Sequence, residues 1–236
     1  MATRMGFSCL AVLGILCFSA SSALGDDVIA PDWRGDGGST YQQWLFGTNA
    51  TLDVVPDVMV NSYGGASADI SVGFMGTGWW DEFPEDSGRT GLWDLGRGEE
   101  PGEPFGRITL DIQNRVLEDP LSYKEIWLQV TYYYTDITKA PVVTIEGATQ
   151  MPGGETRVLQ TIPDWGEYRL DQTKWRIEPN PDHETIVLTA AFNGSIIDQV
   201  VVDTICIPEP ASLALLLGGG LTLALRRRAA ARRRAA

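Results

Sequence analysis

Apolar and polar residues alternate along much of the chain in short runs. Ile70, Val72 and Phe74 fall on one side of 69–75, and Ile108, Leu110 and Ile112 on one side of 107–114. A repeat of two residues marks a strand with one face in a core. The longest run, 124–135, puts Ile126, Leu128, Val130, Tyr132 and Tyr134 on one side and Trp127, Gln129, Thr131 and Tyr133 on the other. It predicts a central strand with an aromatic second face. Further strands are predicted at 141–148, 156–162, 167–170, 174–178, 184–192 and 196–205. No segment of useful length carries a helical period. Turn formers separate the runs at 61–65, at Met151-Pro152-Gly153-Gly154 and at Asn193-Gly194. The last predicts a type I′ hairpin between 185–192 and 196–202, because both central positions of that turn require φ > 0. The Gly-, Glu- and Pro-rich stretch 76–105 predicts a long surface loop. About nine strands and no helix predict an all-β fold, an antiparallel β-sandwich of jelly-roll type.

The two ends follow other patterns. Arg4, an apolar stretch over 7–20 and Ser21-Ser22-Ala23 predict a signal peptide at 1–23, so the mature body occupies 26–205. At the far end Pro208-Glu209-Pro210 precedes an apolar run, 213–225, and arginine triplets at 226–228 and 232–234. As a helix, 211–225 would be roughly 22 Å long, short of a hydrocarbon core of about 30 Å. Gly218, Gly219 and Gly220 weaken it by up to about 1 kcal/mol each relative to Ala. The arginines belong at the cytoplasmic headgroups, which places the body across the membrane from them. Pro208 and Pro210 favour an extended segment, since each fixes its own φ and turns the preceding residue away from helix.

Pro-Glu-Pro, a short apolar helix and an arginine cluster, in that order at 206–236, closely resemble the PEP-CTERM sorting signal of Gram-negative and planctomycete-type bacteria. The resemblance implies an exported protein whose tail inserts transiently in the membrane. It further implies an exosortase-like membrane enzyme that recognises Pro208, Glu209 and Pro210, removes the tail and passes the body to the cell envelope, the cell surface or the extracellular matrix. The stretch 31–44 resembles one near the start of secreted planctomycete proteins with such tails, and implies no activity. Residues 197–204 resemble the closing strand of carbohydrate-binding-type jelly rolls, which implies pairing beside the first strand with both termini at one end.

Charge and rare residues narrow the function. The formal net charge of −13 becomes more negative once Arg4 and the six tail arginines are removed, so the body repels nucleic acid. Cys9 and Cys17 leave with the leader, and Cys206 alone cannot form an intramolecular disulfide. A single histidine, His183, excludes most histidine-based triads and zinc sites, and neither a Gly-x-Ser-x-Gly elbow nor a phosphate-cradling glycine loop occurs. Asp81, Glu82, Glu85 and Asp86 leave a glycosidase-like carboxylate pair as the only catalytic arrangement, yet a flexible acidic loop does not hold the fixed separation that chemistry needs. A non-enzyme is expected.

Two candidate binding sites compete with plainer structural roles for the same residues. Trp79, Trp80 and Trp93 with Asp81 and Glu82 combine rings that stack on sugars with carboxylates that accept hydroxyl hydrogen bonds; the alternative is a mini-core packed over one sheet. Asp32, Asp36, Asp198 and Asp203 would supply calcium oxygens if the termini are adjacent, the alternative being that they cap turns and solvate strand ends. The sequence therefore predicts a structural or adhesive protein of the cell surface or matrix, or alternatively a carbohydrate-binding module using the tryptophan loop, with extracellular polysaccharide as partner and calcium as possible cofactor.

Overall fold

The computed structural model describes residues 28–97, 104–114 and 122–207. These residues form strands β1 (Ser39–Trp44), β2 (Val58–Val60), β3 (Ala66–Ser71), β4 (Gly78–Glu82), β5 (Thr90–Asp94) and β6 (Arg107–Gln113). They continue through β7 (Tyr123–Tyr134), β8 (Val142–Ile145), β9 (Ala148–Ile162), β10 (Gly166–Ile177), β11 (His183–Thr189) and β12 (Ile196–Ile207). The larger sheet runs β2-β1-β12-β7-β10-β9 with a β4–β5 hairpin joined to β12, and the smaller runs β3-β6-β11-β8. All the pairings are antiparallel.

Alternation explains how the sheets meet. Ile126, Leu128 and Val130 of β7 and Val200 and Val202 of β12 pack in one buried cluster with Ile108, Leu110 and Ile112 of β6 and Ile186 and Leu188 of β11. Each such side chain contributes about 1.5–3 kcal/mol by leaving water. One charged pair crosses the same interior: Lys124 Nζ of β7 lies 2.7 Å from Glu184 Oε2 of β11, with both side chains fully buried. Burial pushes the Glu184 carboxyl above its ordinary value, and Lys124 and Asn114 pull it back.

β12 lies between β1 and β7, with Ser39 opposite Ile205, so the described body starts and ends at one end of the sandwich. The closing strand thus pairs beside the first, as its sequence implies. The second face of β7 is itself buried, with Gln129, Thr131 and Tyr133 each almost inaccessible. The segment before β1 covers part of it. Ile29 donates its backbone N–H to Gln129 Oε1 at 2.7 Å and accepts from Gln129 Nε2 at 3.0 Å, and Trp33 meets Trp127 edge-on.

Several predicted boundaries move. Residues 76–105 do not form one long loop, because β4 and β5 pair within them and β5 continues onto β12. Met151–Gly154 is not a turn but lies inside β9. There 152–154 face the single residue Thr173 as a bulge, Gly153 has φ +96°, and a Cβ on Gly154 would lie 2.6 Å from the Gln172 carbonyl oxygen. The segments 167–170 and 174–178 are one strand, β10. Asn193-Gly194 does turn the chain, with Gly194 at φ +121° and its N–H on the Ala191 carbonyl, but it makes no hairpin. The strands it joins belong to different sheets. The strand predicted at 69–75 lies at 66–71 and ends before Gly73, whose backbone packs so closely on Gly106 that a Cβ would come within 2.1 Å.

The predicted signal peptide, 1–23, and the whole of 208–236, with Pro208, Glu209, Pro210 and the arginine triplets, lie outside the described residues. Among the described residues no helix is long and apolar enough to cross a membrane.

Candidate functional site

The tryptophan-rich stretch is a two-faced hairpin. Trp79 opposes Trp93 and Trp80 opposes Leu92, and neighbouring residues of a strand point to opposite faces. Trp93 is therefore buried in the main core, with Trp79 packed against the same cluster and its Nε1–H donated to the Phe46 carbonyl at 2.8 Å. Trp80 turns the other way onto a second cluster of Leu92, Tyr133, Tyr168 and Ile196, its ring 4.2 Å from that of Phe83. All three rings are engaged in packing, Trp93 fully and Trp79 and Trp80 in part. Asp81 and Glu82 are exposed, and Glu82 Oε1 accepts the Gly88 N–H at the hairpin turn.

The four aspartates do not gather. Asp203 is enclosed by Arg34, whose Nε and Nη2 reach its two carboxylate oxygens at 2.6 Å each while the guanidinium lies over the Tyr41 ring. Burial still pushes the Asp203 carboxyl above its ordinary value, against the lowering by Arg34. Asp198 occupies a bulge in β12 and pairs at 3.0 Å with Arg89, itself stacked on Tyr168. Asp32 and Asp36 are exposed, and Asp36 accepts the Ser39 N–H through its carbonyl in a turn. The N-terminal turn does come to the closing strand, but through Arg34 rather than through a shared ion. Among the described residues no group of three His, Cys, Asp or Glu side chains could hold a metal.

A different place has the form of a binding site. The larger sheet extends past the edge of the smaller one, so β9 and β10 overhang β8 and leave a cleft of about 280 Å³. Val130, Pro141, Val142 and Val143 form its apolar side. Its other side comes from alternate residues of β10, Asp171, Thr173 and Trp175, with Gln150 of β9. The period of two sends all three β10 side chains to one face. Trp175 is half-buried against the main core, and its Nε1–H donates to Thr173 Oγ1 at 2.9 Å, which fixes the indole along the strand. Asp171 Oδ1 is enclosed and has no hydrogen-bond partner. Tyr132 lies beside that carboxylate; burial, then the charge of Asp171 and a hydrogen bond to it, push the tyrosine hydroxyl well above the ordinary value, so it stays protonated as a donor to Asp171.

Sequence reasoning missed this cleft because the predicted strands stopped at 170 and resumed at 174, leaving Asp171 and Thr173 between them. The usable signal was the alternation Arg169, Asp171, Thr173, Trp175, a polar and aromatic face on a strand whose other residues include Tyr168 and Leu170. Chemically the cleft joins an aromatic surface and an aliphatic wall to a carboxylate, a hydroxyl and an amide. No protein-family model matches the chain, and no curated protein matches it.

Proposed function

We propose that this chain is an exported structural or adhesive protein of the bacterial cell surface or extracellular matrix, delivered by an exosortase-like enzyme acting on its C-terminal signal. The observation that carries the reading is the order of the chain: Pro208-Glu209-Pro210, a short apolar run and two arginine triplets follow the closing strand β12. A processing enzyme working C-terminal to Ile207 would leave every described strand in the body. The adjacency of β1 and β12 supports it further, since export from the N-terminal side and retention from the C-terminal side would both engage one end of the sandwich. Repeated crossing of the chain between the two sheets, at β2–β3, β3–β4, β5–β6, β6–β7, β7–β8, β8–β9, β10–β11 and β11–β12, supports a jelly-roll-like form of the sandwich.

The body suits a structural part. The described residues interlock through buried pairs in both directions, Lys124 with Glu184 inside and Arg89 with Asp198 beneath the hairpin. The acidic surface keeps copies apart in solution until a partner is met. The test is the intact mass of the protein isolated from its native host. A chain ending at or before Ala211 is the expected result. A chain that retains the arginine triplets overturns sorting and makes the tail an ordinary anchor.

A further inference from the structure

We propose that the cleft between β8 and the overhanging β9–β10 binds a neutral sugar ring of a polysaccharide, stacked on or against Trp175 and hydrogen-bonded through Asp171. The inference stands apart from the C-terminal signal and would hold for an anchored protein as well as a released one.

A pyranose ring has an apolar C–H surface and a rim of hydroxyls, and it needs a partner with the same division. The cleft supplies it. Trp175 and the wall of Val130, Pro141 and Val143 offer apolar contact, and Asp171, Thr173 and Gln150 stand where a hydroxyl rim would meet them. A volume of about 280 Å³ lies at the small end of ligand sites, which suits one or two sugar units and not an extended surface. The unpartnered Asp171 Oδ1 is the second observation. Tyr132 is the one donor beside the carboxylate, so Oδ1 still has acceptor capacity to spare, and a ligand hydroxyl would fill it.

The charge decides which sugars fit. No Lys or Arg lines the cleft, so Asp171 repels uronates and sulfated sugars. Arg169, the nearest cation along the same face of β10, pairs with Glu167 at 2.8 Å and lies 3.5 Å from the centre of the Tyr134 ring. Tyr132, held protonated, adds no charge. Trp175 has an open space beside it.

The test is calorimetric titration of the full chain, in a sugar-free detergent, with cellohexaose, xylohexaose, mannohexaose, laminarihexaose and chitohexaose, and with oligogalacturonate as the anionic control. Saturable binding of at least one neutral oligosaccharide, and none of oligogalacturonate, is expected. Asp171→Ala should weaken it about tenfold or more, because a hydrogen bond to a charged group is lost. Because Trp175 also packs on the core, Val142→Glu serves as the second variant: Val142 is 59% exposed at the lip, so the change leaves the core intact while adding bulk and charge at the mouth. It should weaken binding by a similar factor, and Trp165→Ala, at an exposed tryptophan outside the cleft, should leave it unchanged. Absence of binding by the folded protein overturns the proposal. So does binding that survives both Asp171→Ala and Val142→Glu, that is lost in Trp165→Ala instead, or that favours oligogalacturonate.

Discussion

The β4–β5 hairpin and the β8/β10 cleft use tryptophan in opposite ways. Trp79, Trp80 and Trp93 stand close together in the chain, and all three close surfaces that strands leave open. Trp175, ten residues after the exposed Trp165, instead borders empty space. The difference comes from what lies across from each ring. The hairpin lies against β12 and over Tyr133 and Tyr168, so both its faces meet protein. β10 meets protein on its core face only as far as β8 reaches, because four strands cannot cover six. Aromatic density along a chain measures how much surface wants covering, and the mismatch in sheet width determines what stays uncovered.

The sharpest way to break this contrast is at Trp93. Trp93→Ala should cost about 3–5 kcal/mol in denaturant unfolding, as expected for a buried large aromatic. Trp93→Phe should cost much less, since Trp93 Nε1 is buried without a partner and phenylalanine removes that group. Arg89→Ala ranks next. It removes the 3.0 Å ion pair of the buried Asp198 beneath the hairpin, and a loss of about 3 kcal/mol is expected, with Arg89→Ala/Asp198→Ala recovering part of it in a double-mutant cycle. At the cleft the loss should be smaller. Asp171→Ala should cost no more than about 1 kcal/mol, because it removes an unsatisfied buried oxygen but also the acceptor beside Tyr132, and a larger loss would place Asp171 among the packing residues.

The smallest effect is expected at His183, which belongs to neither region. Its pKa is raised by the hydrogen bond and charge of Asp182, 2.8 Å away on an exposed surface, and that of Asp182 is lowered in turn. The raised histidine contributes its stability in full below its ordinary value of 6.5 and loses it as pH rises through the folded value. The lowered carboxylate contributes above 3.8 and loses it as pH falls through its depressed value. His183→Gln should flatten a shallow fall in Tm just above pH 6.5 and leave sugar binding unchanged.

The strands with clean alternation were legible. Ile108, Leu110 and Ile112 of β6, and Ile126, Leu128 and Val130 of β7, face the core as their spacing says. Four strands were not legible. The inward residues of β1 are Thr40, Gln42 and Trp44, and Thr40 meets Thr204 through a hydroxyl pair at 2.8 Å, so a polar pattern builds a buried face. All three residues of β2 are exposed, so no buried face marks it. The glycines around β4 and β5 spoke for a loop, whereas they serve close backbone approach, as at Gly91 beside the Leu45 carbonyl oxygen. Asn193-Gly194 shows the limit of local signals: the chain does turn there, but Gly194 alone of the two takes a positive φ, so the type I′ turn does not form, and the flanking strands pair in different sheets. Arg34 and Arg89 were invisible as the occupants of Asp203 and Asp198, because both pairs join residues more than one hundred positions apart.

The place of β12 has a mechanical consequence. Any pull transmitted through Ile207 acts along a strand held on both sides, by β7 over nearly its full length and by β1 over its second half. The load falls on two ladders in shear, so many hydrogen bonds must yield together and none can be opened singly from an end. A body tethered through this strand would resist drag as a unit, with its cleft on the flank, clear of the line of force.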